Sequence, residues 1–253
     1  MARKLSTTDG IEKMGATELQ ENGIRYKRLF PNNYKRHFDP FVLLDEFHMD
    51  IQSEINDQTN EGFECVTYML DGSLKHTDGL ENNEELASGD AQRFTAGNGY
   101  RHSEKPVQKL NHGIRLWIDL PEENKDDPAS YQIQHADDLP VNETDARFVR
   151  SILSEKSPLK VKASVLFQDY SIAADTEQKI EIPEQHRAIL YLPGDINGTL
   201  HAEDTLLESG DALLIDLGAD NFKVKSKNEA VRFMLITGKP LNQEIELKNN
   251  RVL

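Results

Sequence analysis

Apolar residues fall in short runs separated by glycine, asparagine and aspartate. Cys65–Leu70, Gly113–Ile118, Ala163–Phe167, Ala188–Leu192 and Val231–Ile236 are rich in β-branched and aromatic side chains. Such runs at short spacing, with few long stretches of 3.6-residue period, predict an all-β sandwich or barrel. The polar stretch Pro121–Asp138, with its Glu-Glu-Asn-Lys-Asp-Asp-Pro, interrupts them and predicts a linker or long loop.

The pattern repeats. Leu70-Asp-Gly72, Ser88-Gly89-Asp90-Ala91 and Gly97 are echoed by Leu192-Pro-Gly194, Ser209-Gly210-Asp211-Ala212 and Gly218, 121 or 122 positions later. In each copy a Gly-Asp turn feeds a strand, because glycine tolerates positive φ and aspartate can bond its own backbone two residues on. This predicts one small barrel duplicated, with units at residues 1–138 and 139–253.

Composition narrows the class. An apolar fraction of 37% and a charged fraction of 29% fit a folded chain, and the absence of eighteen consecutive apolar residues argues against a membrane helix. The N-terminus has no apolar stretch of the signal-peptide kind, and a single cysteine, Cys65, precludes an intramolecular disulfide. A cytoplasmic location is the expectation. A net charge of −15 disfavours nucleic acid and anionic lipid, and the basic segments Arg25–Arg28 and Lys35–Arg36 are too short to reverse it.

Candidate chemistry lies in Gly99-Tyr-Arg-His102-Ser-Glu104. Residues two apart on a strand share a face, so His102 and Glu104 point the same way. An imidazole and a carboxylate on one barrel wall suit Fe, Mn, Ni or Zn, but a lone His-x-Glu is more often a surface or hydrogen-bonded pair. His37, His48, His112, His135, His186 and His201 are scattered without ligand spacing and read as surface or loop residues.

Asp39-Pro-Phe-Val-Leu-Leu-Asp-Glu-Phe47, Gly62-Phe-Glu-Cys-Val-Thr-Tyr68, His76-Thr-Asp78, Gly89-Asp90, Thr95-Ala-Gly97 and His102-Ser-Glu104-Lys-Pro106 follow in an order that resembles the pirin family. Leu116-Trp117 and Arg232-Phe-Met-Leu-Ile-Thr-Gly238-Lys-Pro-Leu241 extend the resemblance over nearly the whole chain. It implies a bicupin, two tandem cupin (jelly-roll-like) β-barrels, with Trp117 buried in the first and its N–H bonded. Pirins are described as iron-binding nuclear or cytosolic proteins, and several bacterial relatives act as quercetin 2,3-dioxygenases. The family's metal set is a His-x-His pair followed later by His-x-Glu. Here the later pair is His102 and Glu104, but Gln58 and Asn60 stand where the imidazoles belong, and Glu61 replaces an arginine.

Amide oxygens are weak ligands for borderline metals. Glu64 is a conceivable replacement ligand if its segment continues the parity of Gln58 and Asn60. His76 matches a family position outside the metal set and reads as a hydrogen-bonded strand histidine. In the second copy the same positions fall on Ile180, Ile182, Lys223 and Lys225, which offer no metal site.

The expectation is therefore a pirin-like bicupin with a degraded metal site at Gln58, Asn60, His102, Glu104 and Glu64. It would be weakly metal-binding or non-catalytic, with Fe or another divalent transition metal at low occupancy, and would act through a protein partner or a small aromatic, flavonol-like ligand. The alternative is a metal-dependent quercetin 2,3-dioxygenase using His102 and Glu104, with Glu104 as catalytic base. A cupin isomerase or sugar-binding module is a third reading.

Overall fold

The structure is a computed structural model that describes residues 4–8, 10–194 and 198–253, with side chains placed except at 4–8, 56 and 57. The described residues form β-strands joined by turns, with two single 3₁₀ turns at Glu122–Asn124 and Ala136–Asp138. None of them forms a helix long and apolar enough to cross a membrane.

The chain divides into two compact units. One comprises residues 17–139, 158–163 and 241–253, the other residues 1–16, 140–157 and 164–240. The chain thus changes unit at 139/140, and its two ends are exchanged: the strands Lys4–Thr8 and Ile11–Gly15 belong to the later unit and the last thirteen residues to the earlier.

The earlier unit pairs a seven-stranded sheet with a four-stranded one. The large sheet runs Ser130–Gln134, Ala91–Thr95, Phe63–Asp71, Leu110–Asp119, Phe41–Asp50, Ile24–Phe30, Thr17–Glu21. The small sheet runs Ile55–Asn60, Tyr100–Pro106, Ser73–Asp78, Asn83–Ala87. Their facing sides share a core of Phe47, Met49 and Met69 from the large sheet with Ile55, Leu74 and Leu86 from the small. Phe63–Asp71 is buried at every position but the last, because it lies mid-sheet with both faces covered. Such strands appear in sequence as continuous apolar runs.

The later unit repeats the plan. Its large sheet has eight strands; at one edge Lys4–Thr8 pairs with Ile11–Gly15, which in turn pairs with Asp211–Ile215. Its small sheet contains Glu177–Glu181 and Asn221–Ser226. Two duplicated all-β units of this kind are the bicupin arrangement.

Three sequence expectations change. Pro121–Asp138 is no linker: Ser130–Gln134 pairs residue for residue with Ala91–Thr95 as an edge strand, and its polar Ser-Tyr-Gln-Ile-Gln concealed it. Lys223 and Lys225 are exposed, while Phe222, Val224 and Ser226 point inward, so the counterparts of the inward His102 and Glu104 lie one position away from the lysines. Those inward residues offer no metal donor set either. Trp117 is buried and stacked on Phe63 (centroids 4.1 Å, 20°), but its Nε1 has no hydrogen-bond partner. Area burial and stacking position the indole.

Candidate functional site

Tyr100–Pro106 lies in the small sheet between Ile55–Asn60 and Ser73–Asp78. Its alternation sends Tyr100, His102 and Glu104 inward and Arg101, Ser103 and Lys105 outward. The register sets His102 opposite Gln58 and Asp78, and Glu104 opposite His76. From the large sheet, Gln92 and Arg115 are also buried. Polar groups therefore converge inside the barrel from both sheets.

Glu104 is fully buried, and both its oxygens are engaged. Arg115 Nη2 donates to Oε2, Gln92 Nε2 donates to Oε1 at 2.6 Å, and His76 Nδ1 lies 3.8 Å from Oε1. Tyr131 OH donates to Gln92 Oε1 at 3.0 Å, which fixes the amide. Burial pushes the Glu104 carboxyl up, but the Arg115 charge, with help from His76 and His102, outweighs it and holds the group below the usual carboxylate range. Burial works against the Arg115 charge too, yet Glu104 keeps that guanidinium firmly protonated.

His102 packs against Phe94 (4.7 Å between centroids), Tyr100 (5.4 Å) and His76 (5.5 Å). Asn60 Nδ2 donates to its Nδ1 at 3.1 Å, so the neutral ring carries its proton on Nε2. Burial pushes its pKa down to about 4; the pull of Glu104 opposes this, while His76 and Arg115 reinforce it. Beside it, His76 Nε2 and Tyr100 OH lie 2.9 Å apart, and Tyr100 donates to Asp78 Oδ2 at 2.5 Å.

The sequence-derived residues separate. His102, Glu104 and Asn60 come together inside the barrel. Gln58 turns instead to the chain's end, where Asn250 Nδ2 donates to its Oε1 at 2.9 Å. Glu64 leaves the set altogether, accepting from Thr95 Oγ1 at 2.8 Å and from the backbone N–H of Lys162 at 2.6 Å. Gly62, at φ +78°, turns the chain between the two sheets, so parity does not carry from Asn60 to Glu64. Glu64 consequently lies on the face opposite its neighbours Phe63 and Cys65, which join the inner cluster with Trp117.

The residues at hand fit a transition metal poorly. The Glu104 charge is balanced and both its oxygens are occupied, and Gln58 is committed to Asn250; of the amides only Asn60, whose nitrogen donates to His102, keeps a buried oxygen without a partner. Among the described residues, the group of three His, Cys, Asp or Glu with ligand atoms within 4.8 Å is instead Glu46, His48 and His112. His112 Nε2 lies 2.8 Å and His48 Nε2 3.8 Å from Glu46 Oε1, and the imidazoles stack at 4.1 Å. These side chains alternate with the inward Phe47, Gly113 and Arg115, so they occupy the outer face of the large sheet. Sequence reading missed them because the pairing of His112 with His48 exists only through strand register.

A hairpin of Leu247–Lys248 and Arg251–Val252 borders a cavity of about 260 Å³ lined by Tyr26, Arg28, Gln58, Arg115, Trp117 and Asn250, among others. The hairpin is bonded to the end of Ile55–Asn60. Glu61 N–H donates to Asn250 O and Val252 N–H to Glu61 O, each at 3.0 Å, and Arg251 Nε lies 2.9 Å from Glu61 Oε2. Two positions that depart from the family motif, Gln58 and Glu61, thus hold the chain's own end.

Residues 23–118 match the family model described as Pirin. Pirin-1 of Arabidopsis thaliana is 30% identical over 241 residues, covering 93% of this chain and 82% of that protein. Among solved structures, a quercetin 2,3-dioxygenase from Acinetobacter baumannii superposes with TM-score 0.86 at 23% identity, covering 100% of this chain and 92% of the other. A bacterial pirin from Escherichia coli in complex with nickel(II) superposes at 0.75 with 19% identity, covering 91% and 99%.

Proposed function

The chain belongs to the pirin family, and we propose that it is a member working by binding rather than by metal-dependent catalysis in its first barrel. The observation that carries this is the pair of bonds that occupies both oxygens of Glu104. An aromatic and amide-lined cavity beside that site suits a small aromatic ligand, and the exposed polar surface remains available to a protein partner. The metal it takes up is a divalent transition ion such as iron or nickel, at low occupancy.

A second reading is a quercetin 2,3-dioxygenase in which His102 and Glu104 hold the metal and Glu104 serves as base. The likeness to the Acinetobacter fold and the shared inward face of the two side chains favour it.

Elemental analysis and quercetin turnover of protein purified without added metal or chelator separate the two. The binding reading expects well under one equivalent of metal and no flavonol cleavage. A full equivalent that persists in His112→Ala, with turnover, would establish the oxygenase in its place; metal lost with His112 would belong to the outer group.

A further inference from the structure

Arg115 belongs to Leu110–Asp119, where it pairs with Asp45 on one side and Thr67 on the other and shares their inward face. The residue is 8% exposed. It reaches across the barrel to Glu104, stands over the Phe47 ring at 5.1 Å, and sets Nε 3.5 Å from Thr67 Oγ1. The other carboxylate on this wall, Asp45, is held by Arg28 through two bonds of 2.8 and 2.6 Å. Glu104 and Arg115 are therefore each other's counter-ion, on two different sheets, in an interior where an uncompensated charge is strongly disfavoured.

We propose that Arg115 is the resident cation of this barrel, balancing Glu104 from within the chain and setting the site against divalent metals whatever stands at positions 58 and 60. The inference rests on the reading above, in which the first barrel works by binding with little or no metal. A metal ion approaching Glu104 must either evict the guanidinium or sit beside it. Eviction leaves a buried charge facing an aromatic ring and a hydroxyl, with Asp45 already engaged. Coexistence places two cations at close range in a medium of low polarity. Unlike lysine, arginine cannot escape by losing its proton, so the exclusion holds at every working pH. Gln92 closes the remaining oxygen of Glu104. Restoring imidazoles at 58 and 60 would thus leave the central carboxylate unavailable.

The test measures nickel(II) binding to full-length protein by titration calorimetry and elemental analysis, in a His112→Ala background that silences the outer group. Gln58→His with Asn60→His should bind nickel little better than the parent. Adding Arg115→Gln should tighten binding at least about 100-fold, the scale set by breaking a buried ion pair. Equal affinity of the double and triple variants overturns the role of Arg115. Nickel loading of the parent itself would instead overturn the binding reading, so the two failures are distinguishable. Should Arg115→Gln fold poorly, a stability cycle with Glu104→Gln decides. The pair must couple, each single change lowering the urea midpoint more than its share of the double change, and strict additivity overturns the proposal.

Discussion

At the scale of single residues, burial acts on His102 and Cys65 in ways solution measurements can read. His102 titrates at about 4 in the fold against 6.5 for an unperturbed ring. The unfolded chain therefore takes up this proton first as pH falls. Stability from a neutral His102 is complete above about pH 6.5 and is lost between there and about pH 4, on the order of 3 kcal/mol for this one group. Glu104, whose folded pKa is depressed, adds to the loss below its ordinary value of 4.5. Urea midpoints measured from pH 7 to pH 4 should fall, and His102→Gln should flatten the upper part of the profile; an unchanged slope would refute a buried neutral ring. Cys65 is buried, and desolvation pushes its thiol up to about 12. A water-soluble disulfide reagent at pH 8 should find no thiol in the native protein and one equivalent in urea.

Among the elements, the C-terminal hairpin matters more than its length suggests. Val252 is buried in the cluster with Phe63, Trp117 and Tyr100. Gly62 accepts it only because it has no side chain: a Cβ there would lie 2.0 Å from Val252 O, at φ +78°. Gly62→Ala should cost at least about 1–3 kcal/mol, read as a lowered Tm. Truncation after Lys248 should remove about 2–4 kcal/mol by opening that cluster. Trp117 is the single tryptophan, so truncation should also shift the emission to the red. Unaltered Tm and emission would mean that the hairpin only rests on the barrel.

Over the full length of the protein, the exchange of ends ties each unit to a distant part of the chain. A fragment of residues 1–138 lacks the hairpin and the segment 158–163, which supplies the Lys162 bond to Glu64. A fragment of residues 139–253 lacks the edge strands Lys4–Thr8 and Ile11–Gly15, and leaves Asp211–Ile215 as an open edge. Expressed separately, the fragments should aggregate or give poorly dispersed NMR spectra, whereas the full chain gives a dispersed one. A well-folded 1–138 would show that the exchange is dispensable.

Local period and spacing were enough to establish part of this architecture from the chain alone. Alternation every two residues put His102 and Glu104 on one inward face, and the repeated Gly-Asp turns revealed a duplicated barrel; that imidazoles are expected at positions 58 and 60 came only from the resemblance to the family. Everything that depends on which strands meet came from the folded barrel instead. Arg115 is an ordinary member of an apolar run until the closing sheets set it against Glu104. His48 and His112 become neighbours only through a register across sixty-odd residues of chain, and Glu64 is lost to the site at one glycine turn. Backbone period dictates the face a side chain takes, but the partner across the barrel comes from long-range strand pairing, to which local pattern is blind.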